Sequence, residues 1–274
     1  MTPRSFVNGR AGDAIDARDR GLLYGDGLFE TVLFVDGAAP LWLRHRARLE
    51  SDAARLALPL PDVDAVFATA REACRGIARA AVRITLTRGV GERGYAPPAA
   101  PEPVWVVTAT PAPTVPPDWY VHGIRVRCCG LRLATQPRLA GIKHLNRLEH
   151  VLARAEWNDP AVAEGLLGDA HGNAIGATAA NLFVVRDGRL LTPALDECGV
   201  AGVTRADLLE GRDVGVVRLT WDEVMRADEV FLTSSLRGIL PVNRIDDRAF
   251  APGPVARALQ AHWRERGLME PAHG

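Results

Sequence analysis

The chain has 274 residues, of which 47% are hydrophobic and 24% charged, so it is long enough for one large or two ordinary globular domains. Lysine plus arginine and aspartate plus glutamate both number 33, and this zero net charge argues against a nucleic acid or an anionic membrane as partner. The start of the chain lacks the apolar segment of a signal peptide, and no run reaches the length of a membrane span. We therefore expect a cytoplasmic protein.

The first predicted elements mix strands and helices. Two apolar runs in residues 33–43 flank Asp36-Gly37, a pair typical of a hairpin turn. Apolar residues then recur at helical spacing in 45–56. The segments "AVRITLTRG" and "PVWVVTATP" follow, and the first alternates polar and apolar residues as a half-buried strand does. We predict an N-terminal α+β domain over residues 1–113.

A proline-rich segment follows, and residues 114–120 are the best linker candidate in the chain. Beyond it we predict a C-terminal α/β domain over residues 121–274. Its elements include the strand "IRVRCC", a helix over 144–157 with leucines on one apolar stripe, and the hairpin "NLFVVRDGRLLTP". The segment "GVTRADLLEG" reads as a further helix with a glycine before it and after it.

The four cysteines form no C-x-x-C pair. Cys128 and Cys129 are adjacent on a predicted strand, so their side chains should point to opposite faces. We interpret the cysteines as packing residues in a reducing compartment and predict neither a metal site nor a disulfide framework.

Lys143 is the only lysine in the chain, and all other residues counted as lysine or arginine are arginines. One interpretation is a solvated charge at a helix end. The other is a nucleophile, because an amine in a desolvated, cation-rich pocket has a lowered pKa and can form Schiff bases. The apolar approach "LAGI" favours the second interpretation. A Schiff base with pyridoxal phosphate would also require a phosphate-binding cup and groups that tune the pyridine ring.

Two segments could form that cup. "AGVTRADLLE" places Val203 and Thr204 at a helix start, where backbone N–H groups favour an anion, although Thr204 could equally be an ordinary helix cap. "FLTSSLRG" supplies a turn rich in hydroxyls that includes Ser235. Arg48 could bind a phosphate through two N–H groups, although most arginines on such helices are solvated.

Seven segments together resemble the fold-type IV pyridoxal-phosphate enzymes, which comprise branched-chain and D-amino-acid aminotransferases and aminodeoxychorismate lyases. They run in family order over nearly the whole chain: "DRGLLYGDGLFETV", "HRARL", "TRGVGERGY", "AGIKHLNRLEHVLAR", "AANLF", "TPALDECGVAGVTR" and "ADEVFLTSSLRGILPV". The resemblance implies a two-domain fold with the cofactor in the interdomain cleft.

The same resemblance assigns roles to individual residues. Lys143 is the expected Schiff-base lysine, and Arg48 is an expected phosphate ligand together with Val203 and Thr204. Thr31, in "GLFETV", falls where the lyase branch has a threonine proposed to assist proton transfer to the leaving group. Asn181, in "AANLF", falls near the cofactor in these folds, although a plain turn residue is an equal alternative.

One position departs from the family pattern. A glutamate whose carboxylate bonds the pyridine nitrogen usually lies five residues before the asparagine of "NLF", and this position is Gly176 here. Glu164 and Asp169 are the nearest acids before it in sequence, and neither is well placed. A neighbouring acid could substitute, the cofactor could work with a neutral ring, or the chain could be a catalytically silent relative.

The segments around the lysine and "TRGVGERGY" look most like the lyase branch. The resemblance therefore implies elimination of pyruvate from 4-amino-4-deoxychorismate, which gives 4-aminobenzoate for folate synthesis. The alternatives are an aminotransferase for branched-chain or D-amino acids and a pyridoxal-phosphate-binding relative without full activity. The departure at Gly176 favours the lyase, because formation of an aromatic product lowers the barrier of the elimination without help from the cofactor.

The sequence does not assign the residues that bind the substrate's carboxylates. Four arginines in or next to the matching segments are candidates: Arg88, Arg93, Arg138 and Arg147. The resemblance further implies a homodimer, a small-molecule substrate, and no nucleic-acid or membrane partner.

Overall fold

The computed structural model describes residues 4–269 and divides into two compact units. Unit 1 comprises the described residues up to Pro113 together with Ile142–Asn146. Unit 2 comprises Thr114–Gly141 together with the described residues from Arg147 onward. No helix among residues 4–269 is long and apolar enough to cross a membrane.

Unit 1 is an antiparallel sheet covered by helices, as the predicted α+β pattern requires. Its sheet has the strand order β2-β1-β5-β4-β3, and the longest pairing joins β3 to β4. The elements of this unit are β1 (Arg4–Val7), β2 (Arg10–Ala11), α1 (Arg20–Tyr24), β3 (Gly27–Val35), α2 (Trp42–Arg55), α3 (Val63–Ala73), β4 (Arg79–Thr87) and β5 (Val104–Pro111).

The core of unit 1 lies between the sheet and the helices α2 and α3. Trp42 stacks on Phe67 with ring centroids 4.5 Å apart, and Leu49 and Ala53 of α2 are buried, as their helical spacing predicted. Alternate residues of β3 point to opposite faces. Glu30 is therefore directed toward the buried side, and its neighbours Phe29 and Thr31 toward the other.

The hairpin predicted in residues 33–43 forms only at its turn. Asp36 and Gly37 both have positive φ, and Val35 pairs with Ala38 around them. The second apolar run is not a strand, because it leads into α2, whose first residue Trp42 is buried in the helix–sheet core. Trp42 of this run therefore packs in the core as part of α2, and the run does not pair as a strand.

Unit 2 is built around a large mixed sheet. Its strand order is β11-β10-β9-β13-β14-β6-β7-β8-β12, with β15 paired to β14. The elements are α4 (Pro117–His122), β6 (Ile124–Leu133), α5 (Leu148–Arg154), β7 (Val162–Asp169), β8 (Asn173–Ala177), β9 (Asn181–Arg186), β10 (Arg189–Pro193), α6 (Val203–Leu209), β11 (Val214–Val217), β12 (Leu219–Thr220), α7 (Trp221–Met225), β13 (Glu229–Ser234), β14 (Gly238–Ile245), β15 (Arg248–Ala249) and α8 (Pro254–Glu265).

Most elements predicted for the C-terminal half are present in unit 2. The hairpin β9–β10 and the helix α6 agree with the sequence patterns. Cys129 is buried whereas Cys128 is partly exposed, as expected for neighbours on a strand. Within the predicted linker, residues from Pro117 onward instead form α4, since proline is tolerated in the first helical position.

The helix predicted over 144–157 is shorter in the structure and faces differently. It begins only at Leu148, because the preceding residues are held in an extended conformation beside β3. Leu148 and Leu152 are 69% and 54% exposed, whereas Ala153 is buried. The leucine stripe that predicted a core-facing surface therefore faces outward from unit 2.

Candidate active site

The segment that carries Lys143 belongs to unit 1 by its contacts, although the sequence assigned it to the C-terminal domain. The Phe29 N–H donates to the Lys143 carbonyl at 3.0 Å, so the lysine backbone lies along the edge of β3. The Lys143 N–H donates to Oδ2 of Asp52 at 2.9 Å. Asp52 is buried, and this desolvation raises the pKa of its carboxyl. Two elements, β3 and α2, thus fix the lysine backbone.

The Lys143 side chain is half-buried and lies on an aromatic ring. Its Nζ is 4.2 Å from the centre of the Phe29 ring, and the guanidinium carbon of Arg83 is 4.0 Å from the same centre. Cations are attracted to the face of an aromatic ring, so Phe29 holds both of them. The result is a local cationic surface on unit 1 that suits a substrate with carboxylates.

Thr31 shares this surface. It lies two residues after Phe29 on β3, on the same face, and its register partner on β4 is Arg83. The structure therefore brings the predicted catalytic pair Lys143 and Thr31 to one face of unit 1. Arg83 was missed in the sequence because strand register, which places it there, cannot be read from an isolated alternating pattern.

Arg48 is held by Glu30, a buried carboxylate of β3. Its Nε donates to Oε1 of Glu30 at 2.8 Å, and its Nη2 donates to Oε2 of the same carboxylate. The His45 Nδ1 also contacts this Oε2, at 2.7 Å. Burial alone would raise the pKa of Glu30, but the Arg48 guanidinium and the His45 ring together lower it to about 2. Burial lowers the pKa of His45, which leaves the ring neutral.

The four arginines considered as ligands of the substrate carboxylates differ in burial and in their hydrogen-bond partners. Arg88 is buried and used internally, since it donates to Asp26 at 2.8 Å and to the carbonyls of Ala57 and Leu56 at 2.7 and 3.0 Å. Arg93 and Arg138 are exposed, and Arg147 is half-buried with its pKa lowered to about 10 by burial. Arg88 therefore serves the fold of unit 1 rather than a ligand.

The predicted phosphate cup lies in unit 2, where Asn181 organises the start of α6. The Asn181 Oδ1 accepts from the Gly202 N–H at 3.0 Å, and its Nδ2 donates to the Val200 carbonyl at 2.8 Å. A Cβ at Gly202 would lie 2.1 Å from this oxygen, so only glycine allows the approach. Asn181, the first residue of β9, thus shapes the backbone before Val203.

Two buried hydroxyls in this region have no hydrogen-bond partner among the described residues: Thr204 Oγ1 and Thr233 Oγ1. Thr233 is the register partner of Asn181 on β13, and α6 packs against the same strand. Buried polar groups are nearly always satisfied, so these hydroxyls fit a ligand that accepts hydrogen bonds, as a phosphate does. Ser235 follows Thr233 in the turn after β13 and is partly exposed.

The chain is similar to several known proteins. The family described as Amino-transferase class IV matches residues 27–245. An aminodeoxychorismate lyase of Vibrio harveyi is 36% identical over 269 residues, which cover 94% of this chain and 98% of the relative. A D-alanine aminotransferase of Bacillus licheniformis is 26% identical and covers 94% of each chain.

Among solved structures, 4-amino-4-deoxychorismate lyase from Pseudomonas aeruginosa matches with a TM-score of 0.91 and 44% identity. The match covers 95% of this chain and 98% of that one. The chain belongs to the class IV aminotransferase family, and the expected fold-type IV architecture is confirmed. Enzymes of this family depend on pyridoxal phosphate.

Proposed function

We propose that this protein is a 4-amino-4-deoxychorismate lyase, which eliminates pyruvate and leaves 4-aminobenzoate. The observation that carries the proposal is the surface of Lys143, Thr31 and Arg83, which offers a base, a hydroxyl and a cation on one face of unit 1. The similarity to lyases at 36% and 44% identity over nearly the whole chain supports the same activity.

The residues present fit pyridoxal phosphate. We assign the covalent bond to the Lys143 amine and the phosphate to Arg48, the Val203 N–H and the Thr204 N–H and hydroxyl, with Ser235 as a further ligand. The buried Thr204 hydroxyl, which has no partner within the described residues, supports the phosphate assignment. Asn181 acts by shaping the backbone before α6. Bound pyridoxal phosphate supplies an aldehyde carbon for the substrate amine and an electron-withdrawing ring.

The chain's own residues would carry out the proton transfers. The Lys143 amine would accept the proton from the ring carbon that bears the substrate nitrogen. The bond between the neighbouring ring carbon and the enolpyruvyl oxygen then breaks. Thr31 assists protonation of the leaving group, which becomes pyruvate, and Arg83 binds a substrate carboxylate. A homodimer in the cytoplasm remains our expectation for the assembled enzyme.

The main alternative is an aminotransferase of the same fold. Transamination stores an electron pair on the cofactor and then reprotonates it, so it needs a strong electron sink. A carboxylate at the pyridine nitrogen would strengthen that sink, and Gly176 has none to give. The elimination forms an aromatic ring, whose stability lowers the barrier by itself. The lyase is therefore favoured.

A paired assay tests the proposal. Purified protein saturated with pyridoxal phosphate is given 4-amino-4-deoxychorismate, and pyruvate and 4-aminobenzoate are measured. The same preparation is given branched-chain or D-amino acids with a keto acid, and amine transfer is measured. We expect equal amounts of pyruvate and 4-aminobenzoate and little amine transfer. Rapid amine transfer without pyruvate release would replace the lyase with the aminotransferase.

A further inference from the structure

The short helix α6 buries polar side chains. Three of its seven residues are both polar and buried: Thr204, Arg205 and Asp207. An isolated helix of this length is unstable in water, so contacts with the rest of unit 2 determine where α6 lies. Apolar packing is non-directional, whereas a hydrogen bond restrains both a distance and an angle. The buried polar side chains can therefore hold α6 in one position.

Asp207 joins α6 to the helix α8. Its carboxylate accepts from Nη1 and Nη2 of Arg266 at 2.9 and 3.0 Å and from Nε1 of Trp263 at 3.0 Å. Asp207 is 2% exposed, and Trp263 is fully buried. Two parallel N–H groups of one guanidinium fix the orientation of a carboxylate as well as its distance. Asp207 therefore fixes α6 relative to α8.

The helix α8 is in turn fixed to the strands β13 and β14. The Glu229 carboxylate of β13 accepts from two backbone N–H groups in the first turn of α8, each at 3.0 Å. The Gln260 side chain of α8 donates to the Ile239 carbonyl of β14 at 3.0 Å. Ile239 is the register partner of Thr233 on β13. A continuous series of hydrogen bonds thus runs from the strand of Thr233 through α8 to α6.

Thr204 and Thr233 carry the two buried hydroxyls that have no hydrogen-bond partner among residues 4–269. Thr204 lies on α6 and Thr233 on β13. Asn181, the register partner of Thr233, binds the Gly202 N–H just before α6, so both hydroxyls belong to one region of unit 2. A ligand can accept from Thr204 and Thr233 together only if α6 keeps a fixed position on β13.

We propose that Asp207 is a positioning residue, which through α8 holds the Thr204 hydroxyl where this group can donate to an anionic ligand, here the phosphate of the cofactor. The inference rests on the proposed function, which assigns that phosphate to Thr204. A carboxylate would itself repel an anion, so Asp207 acts through the position of α6. Replacing a buried ion pair by apolar side chains often leaves stability unchanged, so stability alone does not account for the pair.

The test compares ligands with and without a phosphate group. Dissociation constants are measured for pyridoxal phosphate, for inorganic phosphate and for pyridoxal, which keeps the aldehyde but has no phosphate. We expect Asp207→Asn to weaken the binding of both phosphate ligands about three- to tenfold, because a displaced Thr204 hydroxyl loses about one hydrogen bond to the ligand. Pyridoxal should bind to the variant as tightly as to the wild type.

Asp169→Asn is the matched control. Asp169 is also a buried carboxylate of unit 2 with three hydrogen bonds, from the His171 N–H at 2.9 Å and from the backbone and side chain of Asn173, each at 2.8 Å. Both substitutions should lower the unfolding temperature, but only Asp207→Asn should reduce the preference for pyridoxal phosphate over pyridoxal. If both variants keep the wild-type preference, or both lose it equally, Asp207 has a structural role only and the inference is wrong.

Arg266→Gln tests the same contact with a smaller risk to the fold. The Arg266 side chain is 41% exposed, so this variant should fold even if Asp207→Asn does not. It should weaken the binding of both phosphate ligands about threefold and leave pyridoxal binding unchanged. A folded variant with the affinities of the wild type contradicts the positioning role. A wild type that binds none of the three ligands would instead contradict the proposed function and remove the inference with it.

Discussion

Around Lys143, the buried charges of unit 1 have partners within the unit, whereas the Thr204 and Thr233 hydroxyls of unit 2 have none among residues 4–269. In unit 1, Glu30 binds Arg48 and Asp52 binds the lysine backbone. These groups are therefore positioned before any ligand arrives, and a ligand adds little to their stability. A bound ligand would supply the unit 2 hydroxyls with hydrogen bonds that residues 4–269 do not provide. Substitutions in the two regions should consequently respond differently to the cofactor.

The largest expected effect is on activity in unit 1. Lys143→Ala should abolish both pyruvate release and the visible absorbance of bound cofactor, because no other lysine can replace the amine. The unfolding free energy should fall by no more than about 2 kcal/mol, the value of a desolvated cation–π contact. Turnover assays and chemical denaturation measure the two quantities. Substantial turnover by the variant would remove Lys143 from the mechanism.

Thr31→Val tests whether the hydroxyl next to the cationic surface takes part in proton transfer. Valine keeps the shape of the side chain, so the fold and the cofactor absorbance should be unchanged. Pyruvate release should slow about 10²–10⁴-fold, the usual value of general acid–base assistance. Single-turnover kinetics with saturating substrate measures the step. An unchanged rate would make Thr31 a packing residue.

Glu30→Gln tests the claim that unit 1 is stabilised by its own charges. The variant leaves the Arg48 guanidinium without its carboxylate, and such losses at buried pairs cost about 3–5 kcal/mol in the cofactor-free protein. The control Glu50→Gln breaks a partly exposed pair with Arg46 and should cost less than about 1 kcal/mol. Chemical denaturation of both variants measures these costs.

The cost of Glu30→Gln should also depend on pH. The pKa of Glu30 is about 2 in the folded protein, below its ordinary value of 4.5. A lowered carboxyl pKa contributes stability above the unfolded value and loses it as the pH falls toward the folded one. The difference between wild type and variant should therefore be largest above pH 4.5 and shrink between there and pH 2. A difference that does not change with pH contradicts the assigned charge.

The smallest expected effect is that of Thr204→Val in unit 2. It should stabilise the cofactor-free protein but weaken cofactor binding. Thr204→Val removes a buried hydroxyl without a partner among the described residues, so the cofactor-free protein should be as stable as wild type or more stable, by up to about 1–3 kcal/mol. Its affinity for inorganic phosphate and for pyridoxal phosphate should fall. Denaturation with and without phosphate measures both effects.

Thr192→Val is the matched control. The Thr192 hydroxyl is equally buried, but it donates to the Leu182 carbonyl at 2.8 Å. Its loss should destabilise the protein by about 1–3 kcal/mol whether or not phosphate is present. If the two variants behave alike, the Thr204 hydroxyl is not a ligand group.

The sequence predicted local features better than pairings between distant segments. The strand β4 and the helix after Gly202 follow from alternation and from helix-start signals, which depend on neighbouring residues. The extended conformation at Lys143 was missed because it depends on pairing with β3, more than a hundred residues earlier in the chain. Arg83 was missed for the same reason, since only strand register places it beside Thr31.

The most direct measurement follows from the single lysine. The protein is incubated with pyridoxal phosphate and treated with borohydride, which reduces a carbon–nitrogen double bond to a stable secondary amine. Peptide mass spectrometry then locates the added mass. We predict one modified residue, Lys143, and no modification in Lys143→Ala. A cofactor that adds no mass to the wild type, or that is found elsewhere in the chain, would contradict the assignment of Lys143 as the nucleophile.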